Sequence, residues 1–347
     1  MQGRFLLTIL GYCLVSGWLT ACQPARSATK NLAEDQLQSA SAQAGGQLPE
    51  PFALTVPSGY SRIEKRKLMP AAEFESMRPS AGKAAHLTLR ALHIGPAALA
   101  QLRVLFSSRS GQPLELTTVT ARPEVLATMN WVFFGRLPAG EIQGDSCTDM
   151  GKTCAAGMFQ PRHRSEREQA ERRYALAIDE LGHPQLLRGG LKHADRHSLR
   201  VFLGGGILLF DGLDPKYRKL NDAVGHPDYL RHYTAANDPA LIAPGQAGDP
   251  TRQAPRTAIG LLPDHSLILL NLGEGQYRLR GGVTPARLAE LLQQLGAIAS
   301  LMFDGGGASL MHVRNTEGRV LAATRPEITS FSDFRRNYAF LVLVRKR

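Results

Sequence analysis

Ile298-Ala299-Ser300-Leu301-Met302-Phe303-Asp304-Gly305-Gly306-Gly307-Ala308-Ser309 is the stretch from which the fold is read most directly. Residues 298–303 form a short apolar run of the kind that makes a buried strand, and the run stops at an acid and three glycines. A carboxylate at the end of such a strand projects into a loop. The glycines leave the backbone N–H groups unobstructed, so the loop can approach a phosphate or sugar closely. Immediately upstream, Thr284-Pro285 pairs a hydroxyl N-cap with proline at the first helical position. Leu288, Leu291, Leu292 and Leu295 then share one helix face, and Gly296 ends the helix. Before that, residues 257–262 and 267–272 read as strands flanking Pro263-Asp264-His265-Ser266, a hairpin signal.

Working outward, residues 86–94, 101–107, 174–178, 199–203, 207–210, 320–323 and 339–344 read as further strands. Residues 122–129 read as one or two helical turns, and Gly204-Gly205-Gly206 as a break between two strands. The polar segment 214–254 has little periodicity and reads as a functional loop or surface insertion, in which His226, Asp228, His232 and Tyr233 are candidates for a lid or metal site. The expected fold is α+β: a mixed, mainly antiparallel sheet with packed helices in a single large domain.

The N-terminus carries a different message. Residues 5–19 are uncharged and largely apolar, which suits a signal-peptide core better than a transmembrane helix. The run ends in Leu19-Thr20-Ala21-Cys22, a lipoprotein-type cleavage box in which Cys22 takes the lipid. Residues 1–21 therefore read as a signal peptide, 22–55 as a flexible tether rich in Ala, Ser, Gln and Gly, and 56–347 as the folded domain. The expected location is periplasmic or cell-surface through the lipid anchor, and Gln23 after the cysteine, rather than Asp, points to the outer membrane if the cell is Gram-negative. Cys147 and Cys154 lie in a Gly/Asp/Thr-rich stretch and read as a small-loop disulfide of an oxidising compartment. A metal there would need more ligands than His163 supplies. The formal net charge of +11 favours anionic partners, but the arginines are dispersed without aromatic interleaving, so nucleic acid is not expected.

Four blocks in order carry a family likeness: Met129-Asn130 with Phe133-Phe134, the glycine-rich run 203–212, Pro255-Arg256-Thr257-Ala258-Ile259-Gly260, and Phe303-Asp304-Gly305-Gly306-Gly307. Together, over residues 84–345, they resemble the phosphodiester glycosidase family. The resemblance implies hydrolysis of a sugar joined through its anomeric oxygen to phosphate, in an envelope glycan, exopolysaccharide or glycolipid. Asp304, Arg256 and Asn130 are the catalytic candidates: Asp304 at the anomeric carbon, Arg256 with its planar fork on the phosphate, and Asn130 on sugar hydroxyls. Gly305, Gly306, Gly307, Thr257, Ser309 and Gly205 are the candidates for contacting substrate or phosphate. Met302, Ala308 and Leu310 stand where the family pattern has polar residues. No cofactor is established by the sequence, although a divalent metal fits one alternative. The alternatives are a non-catalytic glycan-binding envelope lipoprotein and a metal-dependent phosphodiesterase using the histidines of 214–254.

Overall fold

The computed structural model describes residues 53–80, 87–106, 116–130, 135–136, 142–143, 146–148, 174–179, 182–188, 199–246, 248–273, 282–303, 305–306, 309–323 and 339–345. Residues 51–347 form one compact unit. Its strands are β1 (Tyr60–Met69), β2 (Ala72–Pro79), β3 (Leu89–Ile94), β4 (Leu102–Phe106), β5 (Val125–Asn130), β6 (Gly135–Arg136), β7 (Ile142–Gln143), β8 (Ser146–Thr148) and β9 (Tyr174–Asp179). They continue as β10 (Pro184–Arg188), β11 (Leu199–Asp211), β12 (Arg256–Leu261), β13 (Leu267–Leu272), β14 (Ala299–Met302), β15 (Met311–Arg314), β16 (Val320–Ala323) and β17 (Ala339–Val344).

Two sheets dominate. The larger runs β1-β2-β3-β13-β12-β14-β11-β9-β10, with β8 also on β11, and the smaller runs β16-β15-β5-β17-β4. The strand pairings within both sheets are antiparallel. The expectation of a mixed sheet with packed helices is therefore adjusted: the protein is mostly antiparallel sheet, and its described helices are few and short. Ala127, Met129, Met311, Val313, Leu341 and Leu343 of the small sheet join one core with Leu92, Ile259, Leu269 and Leu301 of the large sheet. This arrangement lets each sheet bury one apolar face against the other.

The C-terminal half folds as its residues dictate. Thr284 Oγ1 accepts from Arg287 N at 3.3 Å, and the helix Pro285–Gln294 buries Leu288, Leu291 and Leu292. A Cβ on Gly260 would lie 2.8 Å from Ala297 Cβ, so glycine is what lets this helical segment settle onto β12. In the β12–β13 hairpin, Asp264 accepts from Ser266 N at 3.0 Å and His265 takes the left-handed conformation at φ 63°.

Three expectations change. Residues 125–130 form β5, the centre of the small sheet, rather than helical turns; all six side chains are buried between β15 and β17, and that packing overrides local propensity. Gly204-Gly205-Gly206 does not break the chain into two strands. β11 runs through it with a register shift between Leu203 and Gly206 in its pairing with β9, and pairs with β14 from Ile207 onward. A Cβ on Gly206 would lie 3.1 Å from Leu301 Cδ1 and from Phe303 Cε1, so this position needs close approach.

Segment 214–254 is also ordered against the large sheet rather than loose. Tyr229 and Tyr233, on the helix Tyr229–Ala236, are buried and stack at 5.7 Å. Asn237 brackets Leu208, accepting from its N–H at 2.8 Å and donating to its carbonyl at 2.9 Å. Among the described residues no helix is long and apolar enough to cross a membrane.

Candidate functional site

β12 organises the site because its side chains alternate between the two faces of the large sheet. Thr257 pairs in register with Asn271 on β13, Asn271 with Arg90 on β3, and Arg90 with Ser76 on β2. Four polar side chains thus line up across an otherwise apolar face. Arg256, one residue earlier, takes the opposite face, which the helix covers at Gly260.

The loop after β14 closes over the start of β12. Phe303 N donates to Thr257 O at 2.9 Å, and Gly306 N donates to Pro255 O at 2.8 Å. A Cβ on Gly305 would sit 2.6 Å from Pro255 O, and Gly306 has φ 61°. Both glycines are required by this crossing, one by contact and the other by conformation. Asp304, Gly307 and Ala308 lie outside the described residues.

Under the loop lies a buried polar chain. Asn130 Oδ1 accepts from Leu310 N at 2.8 Å and from Thr257 Oγ1 at 2.8 Å. Thr257 Oγ1 and Ser309 Oγ are 3.1 Å apart. Asn271 Nδ2 donates to Ser309 Oγ at 2.8 Å, and Arg90 donates to Asn271 Oδ1 at 3.4 Å. Thr257 and Asn271 are 0% exposed, Asn130 1%, Ser309 2% and Arg90 9%, so the whole chain sits out of bulk water. Such groups are costly to bury unless mutually satisfied.

The structure therefore brings Asn130, Thr257 and Ser309 together beneath Gly305 and Gly306. Arg256 approaches the loop from the other side: a Cβ on Gly305 would be 3.6 Å from Arg256 Cδ. Its guanidinium is buried, donating to Val283 O at 3.0 Å, Arg252 O at 2.6 Å and, more weakly, Met302 Sδ at 3.6 Å. Burial is the main cause that pulls its pKa down to about 10, so it remains cationic at neutral pH. Gly205 lies within β11.

Sequence reading missed Asn271 and Arg90. A signal was present: Asn271 interrupts Leu267-Ile268-Leu269-Leu270, and Arg90 stands in Leu89-Arg90-Ala91-Leu92, each a polar residue inside a strand otherwise built for burial. Among the described residues no group of three His, Cys, Asp or Glu is placed to hold a metal. Tyr233 of the polar segment is buried, its hydroxyl donating to Gly248 O at 2.9 Å, while His226 and Asp228 are exposed. Cys147 lies on β8, and Cys22, Cys154 and His163 lie outside the described residues.

Two solved structures share the architecture. The catalytic domain of zebrafish N-acetylglucosamine-1-phosphodiester alpha-N-acetylglucosaminidase, auto-inhibited by its pro-peptide, matches at TM-score 0.52 and 15% identity, over 83% of this chain and 88% of that one. A Burkholderia pseudomallei protein provisionally described as exported matches at TM-score 0.54 and 13% identity, over 87% of this chain and 99% of that one. At such identities the likeness speaks for the fold. Comparison with curated protein sequences finds no match. The decisive correspondence is with the phosphodiester glycosidase family model, which matches residues 139–345 and so takes in the glycine run of β11, β12 and the loop after β14; the chain belongs to the phosphodiester glycosidase family.

Proposed function

We propose that this protein is an exported, lipid-anchored hydrolase that cleaves the glycosyl–phosphate bond of sugar-1-phosphodiesters in envelope or exopolysaccharide glycans. The observation that carries the reading is the glycine loop laid across the start of β12, with buried donors beneath it and a buried cation beside it. Water adds to the anomeric carbon, the bond from that carbon to the bridging oxygen breaks, and the phosphomonoester leaves with the electron pair. Asp304 takes the proton of the attacking water or first adds to the anomeric carbon itself. Phosphate leaves readily, so the demand on a general acid is small. Arg256 contributes its positive charge from behind the loop, where low dielectric strengthens its pull on an anion. Lipidation at Cys22 and the tether of residues 22–55 keep the domain within reach of envelope glycans.

The test is a screen of sugar-1-phosphate diesters with both products identified. Free sugar plus phosphomonoester is expected, with turnover abolished in Asp304→Asn. Absence of hydrolysis across the panel, with saturable glycan binding retained, overturns the reading. It would favour a second one, a non-catalytic glycan-binding lipoprotein, which buried Met302 and Leu310 at positions of the family's polar residues support. Loss of activity on chelation would point instead to the metal-dependent phosphodiesterase.

A further inference from the structure

The buried polar chain under the glycine loop has only one possible direction. Leu310 N is a backbone donor, so the atom it meets at 2.8 Å must be the carbonyl oxygen of Asn130. Thr257 Oγ1, 2.8 Å from that same oxygen, must then spend its one proton on it. The 3.1 Å contact between Thr257 and Ser309 is left with a single solution: Ser309 donates. With its proton committed, Ser309 accepts from Asn271, which therefore turns its N–H2 to Ser309 and its oxygen to Arg90. Arginine has five donors and no acceptor, so it closes the sequence without ambiguity.

The geometry points to Arg90 as a positioning residue of the site: it anchors a one-way hydrogen-bond relay, Arg90 to Asn271 to Ser309 to Thr257 to Asn130, that acts together with the Leu310 N–H to hold the orientation of the Asn130 amide beneath the glycine loop. This deepens the function proposed above and rests on it for its catalytic consequence. Two features make the assignment more than packing. First, the relay starts at a guanidinium, which has donors and no acceptor, and each polarised donor strengthens the next. Its far end, the Asn130 oxygen, is thereby held by two donors, Thr257 Oγ1 and Leu310 N, which together lock the amide plane. A site receiving sugar and phosphate oxygens needs polar groups whose orientation costs nothing at the moment of reaction. Second, Arg90 and Asn130 lie on β3 and β5, both N-terminal to the residues 139–345 that match the family model. The relay is how this chain's own N-terminal strands act on the family-matched loop.

Arg90 and Arg256 divide the work. Arg256 ties together the main chain at Val283 and Arg252 on the helix side, whereas Arg90 acts through side chains on the side facing the small sheet. A merely structural relay would tolerate any substitution that keeps burial and bonding. A directional relay would not tolerate a reversal.

Asn271→Asp makes that distinction. The carboxylate matches the amide in shape and gains an ionic contact with Arg90, but it can only accept, so Ser309 must turn around. The expected result is a melting temperature near that of the unaltered protein and a kcat reduced about 100-fold with KM little changed. Arg90→Lys, which keeps a donor-only cation, should retain more turnover than Arg90→Met. Unaltered kcat in Asn271→Asp, or a loss confined to KM, overturns the assignment. Neutron diffraction of the unaltered protein reads the direction without any activity. The Ser309 deuteron is expected on the line to Thr257, and finding it on the line to Asn271 overturns the relay. If the unaltered protein hydrolyses no sugar-1-phosphodiester, the proposed function fails while the neutron measurement still decides the relay.

Discussion

On the helix-covered face at β12, the buried Arg256 gives two of its donor atoms to the main-chain carbonyls of Val283 and Arg252. On the other face, the nearly buried Arg90 gives a donor to the Asn271 side chain, which passes it on toward Asn130. The two faces use the same residue type in different ways. A cation bonded to carbonyls holds chain segments that are distant in sequence, and any replacement leaves acceptors stranded. A cation bonded to a side-chain relay holds orientation, and its effect can be changed without unfolding anything. The first is a fixture of the scaffold and the second is a setting of the site.

The contrast is broken or sharpened most strongly at Arg256. Arg256→Ala strands two buried carbonyls and opens a void, at an expected cost of about 3–5 kcal/mol in urea unfolding. A cost near zero would show that the carbonyl contacts are not holding the scaffold. Acid gives the next largest effect, and it falls on neither arginine. Burial is the main cause that pulls His312, on β15, down to about 4, with Arg314 adding to the shift. The unfolded chain takes up this proton first as pH falls below about 6.5, so stability declines between there and about 4, by about 2–3 kcal/mol. His312→Gln should flatten that part of the acid limb in a series of denaturant melts. An unchanged limb would mean that the acid response comes from groups on the large sheet. The smallest effect is expected of Thr257→Val, which deletes one hydroxyl in the middle of the relay. We expect about 1–2 kcal/mol of lost stability and a larger proportional loss of turnover than of melting temperature.

Much of this design was legible before the fold was known. The Thr284-Pro285 cap, the Leu face of the following helix, the Asp264–Ser266 turn and the strand running into Asp304 each announce themselves, because the residues that make them are adjacent in sequence. What escaped was set by partners far along the chain. Val125–Asn130 looks locally like helical turns and becomes a strand because β15 and β17 enclose it. Segment 214–254 reads as polar and aperiodic, yet Tyr229 OH finds Leu209 O at 2.9 Å and Asn237 finds both backbone groups of Leu208, so a few buried residues order a hydrophilic stretch. At the site, Asn130, Thr257 and Ser309 were named from sequence as separate contacts. Their joining through Asn271 and Arg90 depends on strand register, which no single segment specifies.

The placement of β3 and β5 has a consequence for how the protein could be divided. The family-matched residues 139–345 contain most of both sheets, but β3 is the neighbour of β13, and β5 stands between β15 and β17. A polypeptide starting at residue 139 would present β13 as a bare, apolar edge and leave a gap in the middle of the small sheet. Bare edges of that kind recruit strands from other molecules. Cutting at the border of the recognised family segment should therefore yield aggregates rather than a smaller folded domain. Residues 51–138 of the compact unit, supplied separately as a second polypeptide, would have a ready-made vacancy to fill, and co-expression of the two pieces is the natural way to split this protein.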